Sequence, residues 1–194
     1  MNEPEKTSAE VCLSGVHKAA ANSAAGEEAW YVAFVMTGRE EVVRRQMAAA
    51  FPELTVLVPR RALRERYRGQ WRTVEKPVFP GYIFFQVALD STLNFRIRRV
   101  YRVIRILEQN RQPQPVYKEE MNIILHLTET QGLIGFSRVR DTEGKVTVTS
   151  GPLVGCEGLI VGADRRKGRV RIRLSVNGAS RIVDVGAEWI GEEQ

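Results

Sequence analysis

The sequence predicts an α+β protein in which a sheet with packed helices precedes a small all-β domain. Over residues 29–107, segments rich in β-branched and aromatic residues alternate with two segments of helical periodicity. From Lys145 onward the pattern changes to short strands separated by glycine turns. A break in both patterns at residues 131–143 predicts a linker between the two parts.

The first part combines four predicted strands with two predicted helices. Thr37 and Glu40 have the spacing of a capping box, which predicts that a helix begins there. Asp90 and Ser91 predict the start of the second helix. The order strand, helix, strand, strand, helix, strand is the split βαβ pattern of ferredoxin-like folds, with helices packed on one face of the sheet. The predicted strands are residues 30–36, 55–58, 82–87 and 103–107.

A long hairpin is predicted at residues 60–76, with its tip at Gly69 and Gln70. Arginines fill this hairpin, and Tyr67 and Trp71 lie among them. Aromatic rings beside arginines on an exposed loop can stack on nucleic-acid bases. The alternative is that Trp71 only packs at the base of the hairpin.

The second part begins after a predicted third helix, residues 118–128, whose Ile124 and Leu127 face inward. Four or five short strands in the last 50 residues or so predict a small barrel. Strand alternation places the arginines of residues 169–173 on one face and the apolar residues of 170–174 on the other. Asn177 and Gly178 predict a tight hairpin turn.

The positive charge is concentrated in three arginine-rich blocks, and the formal net charge is +6. Arginine presents a planar fork of donors that suits phosphates and stacks on bases. Three such blocks beside strands favour a nucleic-acid partner, although a solvated basic surface gives the same composition. The blocks lie within residues 60–72, 96–102 and 165–173.

Several classes of protein are disfavoured by the composition. No apolar stretch reaches the roughly 20 residues of a membrane span, and the acidic, alanine-rich segment 1–28 is not a signal peptide. We expect that segment to be disordered and the protein to be cytoplasmic and monomeric. No Cys/His cluster has metal-ligand spacing, and His126 has the position of a helix-face residue. We therefore expect no enzymatic activity, no cofactor and no metal.

Two sets of motifs resemble a known family. The segments Lys145-Val-Thr-Val148, Gly151-Pro-Leu-Val-Gly155 and Glu157-Gly158 resemble the KOW motif. The segments Trp30-Tyr-Val32, Thr37-Gly-Arg-Glu40, Val56-Leu-Val-Pro59 and Phe79-Pro-Gly-Tyr82 resemble the amino-terminal (NGN) domain of NusG-type transcription factors. The resemblance covers residues 29–190, nearly all of the chain outside the acidic tail.

The resemblance implies an NGN domain at residues 29–130, a linker at 131–143 and a KOW barrel at 144–191. In this family the NGN domain rides on RNA polymerase, bridging the clamp helices and the opposite lobe, and an apolar surface around the Phe-Pro-Gly-Tyr strand receives the clamp helices. Carried over to this sequence, the polymerase-binding residues are Trp30, Tyr31, Phe79, Pro80, Gly81, Tyr82 and Phe84.

Other segments resemble the specialised LoaP paralogues, antiterminators that an RNA hairpin in the leader transcript recruits. These segments are Tyr101-Arg-Val-Ile-Arg-Ile-Leu107, Ile124-Leu-His-Leu-Thr128, Ile134-Gly-Phe136 and the ending from Ile182 to Ile190. Two alternatives stay open: a general NusG-like factor coupling polymerase to the ribosome or Rho, and an RNA-binding KOW protein that does not bind polymerase. The residues expected to contact RNA phosphates are Arg60, Arg61, Arg64, Arg165, Arg166, Lys167, Arg169 and Arg171.

Overall fold

The computed structural model describes residues 27–142 and 145–191. The expected acidic tail, residues 1–28, lies outside the described residues except for Glu27 and Glu28. The helices are α1 (Glu40–Ala50), α2 (Ser91–Arg98) and α3 (Lys118–Thr128). The strands are β1 (Ala29–Val35), β2 (Thr55–Leu57), β3 (Arg60–Tyr67), β4 (Gln70–Pro77), β5 (Tyr82–Val87), β6 (Val103–Ile106), β7 (Glu108–Gln109), β8 (Gln112–Pro113), β9 (Leu133–Ile134), β10 (Ser137–Thr142), β11 (Lys145–Ser150), β12 (Ile160–Asp164), β13 (Arg169–Val176) and β14 (Ala179–Trp189).

The first sheet has the predicted split βαβ topology. Its strand order is β2-β5-β1-β6, and every pairing is antiparallel. The connections β1–α1–β2 and β5–α2–β6 each skip one strand, which is the arrangement that the order of predicted elements indicates. The predicted α+β fold class is confirmed.

Alternation along β1 and β5 divides the sheet into two buried faces. On one face, Val43 and Met47 of α1 and Ile97 of α2 belong to one core cluster with Tyr31 and Phe85. Asp90 accepts a hydrogen bond from the Leu93 N–H at 2.6 Å, so the predicted cap of α2 is confirmed.

The other face of the sheet shares its core with the barrel. Val32 and Phe84 belong to a single buried cluster that also contains Leu127 of α3 and Ile172 and Val185 of the barrel. Helix α3 has the predicted bounds, and its Ile124 and Leu127 are buried as predicted. The two predicted parts are therefore joined through one continuous apolar core.

The barrel is a curled five-stranded sheet of order β11-β10-β14-β13-β12. The predicted alternation on β13 is confirmed, since Val170, Ile172 and Leu174 are buried while Arg171 and Arg173 are exposed. The turn at Asn177 and Gly178 joins β13 to β14 as predicted.

Two strands lie in the segment that the sequence predicts to be a linker. Strand β9 pairs in parallel with β3, and β10 pairs antiparallel with β11 and in parallel with β14. These short segments lack an apolar period of their own, and pairing with neighbouring strands makes them strands. The first strand of the barrel sheet begins at Ser137.

The predicted hairpin is formed by β3 and β4, and it joins β9 in a separate three-stranded sheet. Its turn residues are Arg68 and Gly69, one position before the predicted tip, with φ of 48° and 83°. None of the helices described between residues 27 and 191 combines the length and the apolar character needed to cross a membrane.

The predicted capping box at Thr37 is wrong. Helix α1 begins at Glu40, and Arg39 occupies the N-cap without a side-chain cap bond. The carboxylate of Glu40 is buried and accepts hydrogen bonds from the N–H of Gly38 at 3.1 Å and of Gly81 at 2.7 Å. Glu40 therefore joins the loop before α1 to the turn before β5.

Candidate functional site

The Phe79–Tyr82 turn is fixed tightly against the end of β1. The Val35 N–H donates to the Gly81 carbonyl oxygen at 2.8 Å, and the Gly81 N–H donates to Glu40. Gly81 has φ of 82°, and a Cβ there would lie 2.9 Å from Cε2 of Phe34 and 3.0 Å from Oγ1 of Thr37. Both the backbone conformation and the close approach require glycine at this position.

Only part of the predicted polymerase-binding set reaches the surface. Pro80 is exposed, and Trp30 and Tyr82 are half-buried. Tyr31 points to the opposite face of the sheet from Trp30, because neighbouring residues of a strand alternate. There its ring stacks on Phe85 with the centroids 5.7 Å apart. The remaining members, Phe79, Gly81 and Phe84, are buried and support the turn from below.

Two further apolar side chains of this sheet are exposed and were not among the predicted site residues. Met36 follows β1 and donates its N–H to the Arg102 carbonyl oxygen at 3.0 Å. Ile104 lies on the adjacent strand β6. Both are more than half exposed, although strand patterns normally place such residues inside. Met36 lies at the end of a predicted strand and Ile104 lies on an edge strand. These positions were the signals of exposure that the sequence offered.

The ring of Tyr82 lies between the two parts of the chain. It is 5.4 Å from the Phe34 ring and 5.4 Å from the guanidinium carbon of Arg181 on β14. The barrel therefore borders the Phe79–Tyr82 turn directly.

The turn between β12 and β13 presents the cations Arg165, Arg166 and Lys167 to solvent. Asp164 accepts the backbone N–H of Lys167 at 3.0 Å, and its other oxygen lies 3.4 Å from the Lys167 ammonium. These contacts, the backbone hydrogen bond first, hold the pKa of Asp164 below its usual range. The guanidinium carbon of Arg165 also lies 5.9 Å from the Trp189 ring at the end of β14, and all three cations remain exposed.

Three of the other predicted RNA-binding arginines bridge the hairpin to the barrel. Arg61 donates to the Asp184 carbonyl oxygen at 2.6 Å, and Arg64 forms an ion pair with Glu188 at 2.8 Å. Arg169 reaches back from β13 to Glu65 at 3.4 Å and also contacts Asp184 at 3.4 Å. Only 19% of the Arg169 side chain is exposed, so this arginine is committed to the interface.

Burial and pairing perturb the charged groups of this interface. Burial lowers the pKa of Arg61, which nevertheless stays protonated at neutral pH because an arginine pKa is so high. The hydrogen bond from Lys76, assisted by Arg169, lowers the pKa of Glu65. Glu65 therefore keeps its charge through the neutral range and holds both partners.

The last two predicted arginines lie apart from these bridges. Arg60 forms an ion pair with Glu75 across the hairpin at 2.6 Å. Arg171 is exposed, and its guanidinium lies over the backbone of Gly162. The structure thus does not bring the eight predicted RNA-binding residues together: Arg171 and the β12–β13 turn are open, whereas the hairpin arginines are paired.

A family model described as "Transcription termination factor nusG" matches residues 28–125. The chain belongs to the NusG family. Because this is a family of transcription factors, the expectation that the chain is not an enzyme is confirmed.

The matches to NusG proteins extend over both parts of the chain. The "Transcription termination/antitermination protein NusG" of Pasteurella multocida (strain Pm70) is 28% identical over 167 residues, covering 80% of this chain and 90% of that protein. The protein of the same name from Vibrio parahaemolyticus is 28% identical over 174 residues, covering 84% and 94%. A solved structure described as "Domain interaction in Thermotoga maritima NusG" has the same fold, with 21% identity, 84% and 96% coverage and a TM-score of 0.53.

The arginine bridge predicts a specific loss of stability in this NusG-family protein. Replacing Arg169 with Met removes both ion pairs and leaves Asp184 and Glu65 with fewer partners, so we expect a loss of about 1–3 kcal/mol in the free energy of unfolding. Urea denaturation followed by circular dichroism measures this loss.

The matched control is Arg171→Met, on the same strand two residues away and exposed. It should change the free energy of unfolding by less than about 0.5 kcal/mol. Equal effects of the two substitutions would show that the bridge contributes nothing to stability.

Proposed function

We propose that this chain is a transcription elongation factor with processive antitermination activity, closest to the LoaP paralogues. Residues 29–130 bind RNA polymerase at the clamp helices and the opposite lobe, and the barrel recruits the factor to a leader RNA hairpin. The observation that carries the recruitment step is the open basic turn of Arg165, Arg166 and Lys167. NusG-family membership supports the polymerase-binding step.

The polymerase-binding surface that we propose is narrower than the sequence motif. Trp30, Pro80 and Tyr82 supply the side chains that reach solvent, while the buried members of the motif hold them in place. Met36 and Ile104 extend the exposed apolar area. Burial of such area against a partner contributes roughly 25 cal/mol per Å².

The RNA-binding surface that we propose centres on the β12–β13 turn. Among the described residues, Arg166 has no ion-pair partner, and the only carboxylate bonded to this turn is Asp164. Guanidinium groups held in the open can bind phosphates without first breaking internal ion pairs. Arg171 adds a further exposed cation, whereas Arg61, Arg64 and Arg169 act indirectly by holding the hairpin against the barrel.

A general NusG-type function is the second candidate. The curated relatives are termination/antitermination proteins, and this chain matches them along both of its parts. A factor of that kind acts on polymerase without a leader RNA and couples it to the ribosome or Rho. Dependence on the leader RNA separates the two candidates.

Loss of the Tyr82 ring should weaken polymerase binding. We expect Tyr82→Ala to raise the Kd for core RNA polymerase at least about tenfold, because aromatic anchors carry a large share of interface free energy. Biolayer interferometry on immobilised polymerase measures this Kd.

Phe95→Ala is the control for the loss of an aromatic ring. Phe95 is exposed on α2, outside the motif, and its removal should leave the Kd within about twofold. Native affinity of a folded Tyr82→Ala protein would remove Tyr82 from the proposed surface.

Charge reversal in the basic turn should affect RNA and not polymerase. We expect Arg165→Glu with Arg166→Glu to weaken binding to the leader hairpin at least about tenfold, because each lost phosphate contact also removes the release of a counterion. A gel-shift titration at several salt concentrations measures the affinity and its salt dependence.

Arg111→Glu is the control for charge reversal at an exposed turn elsewhere, with half the change in net charge of the double variant. It should lower RNA affinity by no more than about threefold through long-range electrostatics. Unchanged RNA affinity of the double variant would exclude the β12–β13 turn from recruitment.

A further inference from the structure

The tip of the β3–β4 hairpin carries aromatic rings that the proposed function does not use. Tyr67 is 53% exposed and Trp71 is 57% exposed. The strand register pairs Arg66 with Trp71 and Tyr67 with Gln70. Since paired residues share a face and neighbours alternate, Tyr67 and Trp71 stand on opposite faces of the hairpin. Trp71 thus lies near the tip, not at the base of the hairpin.

Arginines surround these rings. The guanidinium carbons of Arg68 and Arg72 each lie 5.3 Å from the centre of the Tyr67 ring, within cation–π distance. Arg66 donates to the Gly69 carbonyl oxygen at 3.2 Å and so closes the turn. No Asp or Glu occurs from residue 66 to residue 74, which leaves the tip with uncompensated positive charge.

A surface depression of about 390 Å³ lies beside Tyr67. It is lined by Glu65, Arg66, Tyr67, Arg72 and Val74. The one carboxylate in this lining, Glu65, is already bonded to Lys76 at 2.6 Å and paired with Arg169. The depression therefore offers an aromatic wall and guanidinium donors to a planar, anionic ligand.

We propose that this hairpin tip binds a single strand of nucleic acid, with unpaired bases stacked on Tyr67 and Trp71 and phosphates bound by Arg66, Arg68 and Arg72. Stacking on exposed rings requires bases that are free of their own stack, which a single strand offers and a duplex does not. The excess of arginine gives the tip the opposite charge to the phosphate backbone.

Contacts at the base of the hairpin fix its position, which favours binding at the tip. Arg61 and Arg64 bind the barrel strand β14, and β9 pairs with the first residues of β3. The tip consequently projects from a fixed base, and little conformational freedom is lost when a strand binds. The tip site and the barrel turn use different residues, so one can fail without the other.

The test is fluorescence anisotropy with the full chain and labelled oligothymidylate, oligouridylate and duplex DNA of about 20 nucleotides, longer than the roughly 4–16 nucleotides of one binding site. We expect both single strands to bind more tightly than the duplex. The oligonucleotide that binds more tightly, oligothymidylate or oligouridylate, identifies the ligand as DNA or RNA. Binding of the duplex as tightly as the single strands would overturn the proposal.

Variants then locate the site. Tyr67→Ala and Trp71→Ala should each weaken single-strand binding about tenfold, in line with the loss of one stacked base. Trp71→Phe keeps a ring, so its affinity for single strands should stay within about threefold of that of the unmodified protein. Arg111→Gln removes one charge far from the tip, and its affinity should stay within about twofold. Unchanged affinity of a folded Tyr67→Ala/Trp71→Ala protein would overturn the proposal.

A final comparison separates this site from the barrel turn. The oligonucleotide titrations are repeated with the Arg165→Glu/Arg166→Glu protein, with and without the Tyr67 and Trp71 rings. These titrations need no leader sequence. If removal of the Tyr67 and Trp71 rings from that protein weakens single-strand binding further, the tip site is supported even when recruitment by a leader hairpin fails. No further loss with that protein would overturn the tip site while leaving the barrel proposal intact.

Discussion

The hydrogen bond from the Gly81 N–H to the Glu40 carboxylate, 2.7 Å long, is the contact on which the surface proposed to bind polymerase depends. It joins the first residue of α1 to the turn before β5, across 41 positions of the chain. Glu40 is buried, and an unsatisfied buried donor at Gly81 would cost roughly 1–3 kcal/mol. With Gly81 held, Pro80 and Tyr82 are presented beside Phe34 in one defined arrangement.

The same turn is coupled to the barrel, because one apolar core runs from Phe84 to Val185 and polar contacts reinforce it. Glu120 of α3 accepts the N–H groups of Asn177 and Gly178 at 2.5 and 3.0 Å, and so ties the barrel hairpin to the first part. At Gly186 a Cβ would lie 2.6 Å from the Ala62 carbonyl oxygen on β3, so only glycine permits this approach of the β3–β4 hairpin to the barrel. The surfaces proposed for polymerase, leader RNA and single strands are therefore held in a single framework.

Local signals in the sequence predicted most of the elements. The apolar period of residues 118–128 gave α3 its exact bounds, and alternation along β13 gave its buried face. Strand β9 escaped prediction because its pairing with β3 is long-range and parallel. Strand β10 escaped prediction because its mostly polar sequence carries no apolar run, although it pairs with the adjacent β11. For the site, alternation alone separates Tyr31 from Trp30. The contacts of Arg61, Arg64 and Arg169 between hairpin and barrel cross more than 100 positions and leave no local pattern.

We propose that a leader RNA recruits this NusG-family protein to act as an antiterminator. A terminator read-through assay with purified RNA polymerase tests it most directly, on templates that carry or lack the leader of the operon beside the gene. We expect read-through that requires both the protein and the leader. Equal read-through on both templates, or altered pausing alone, would contradict recruitment and favour a general elongation factor.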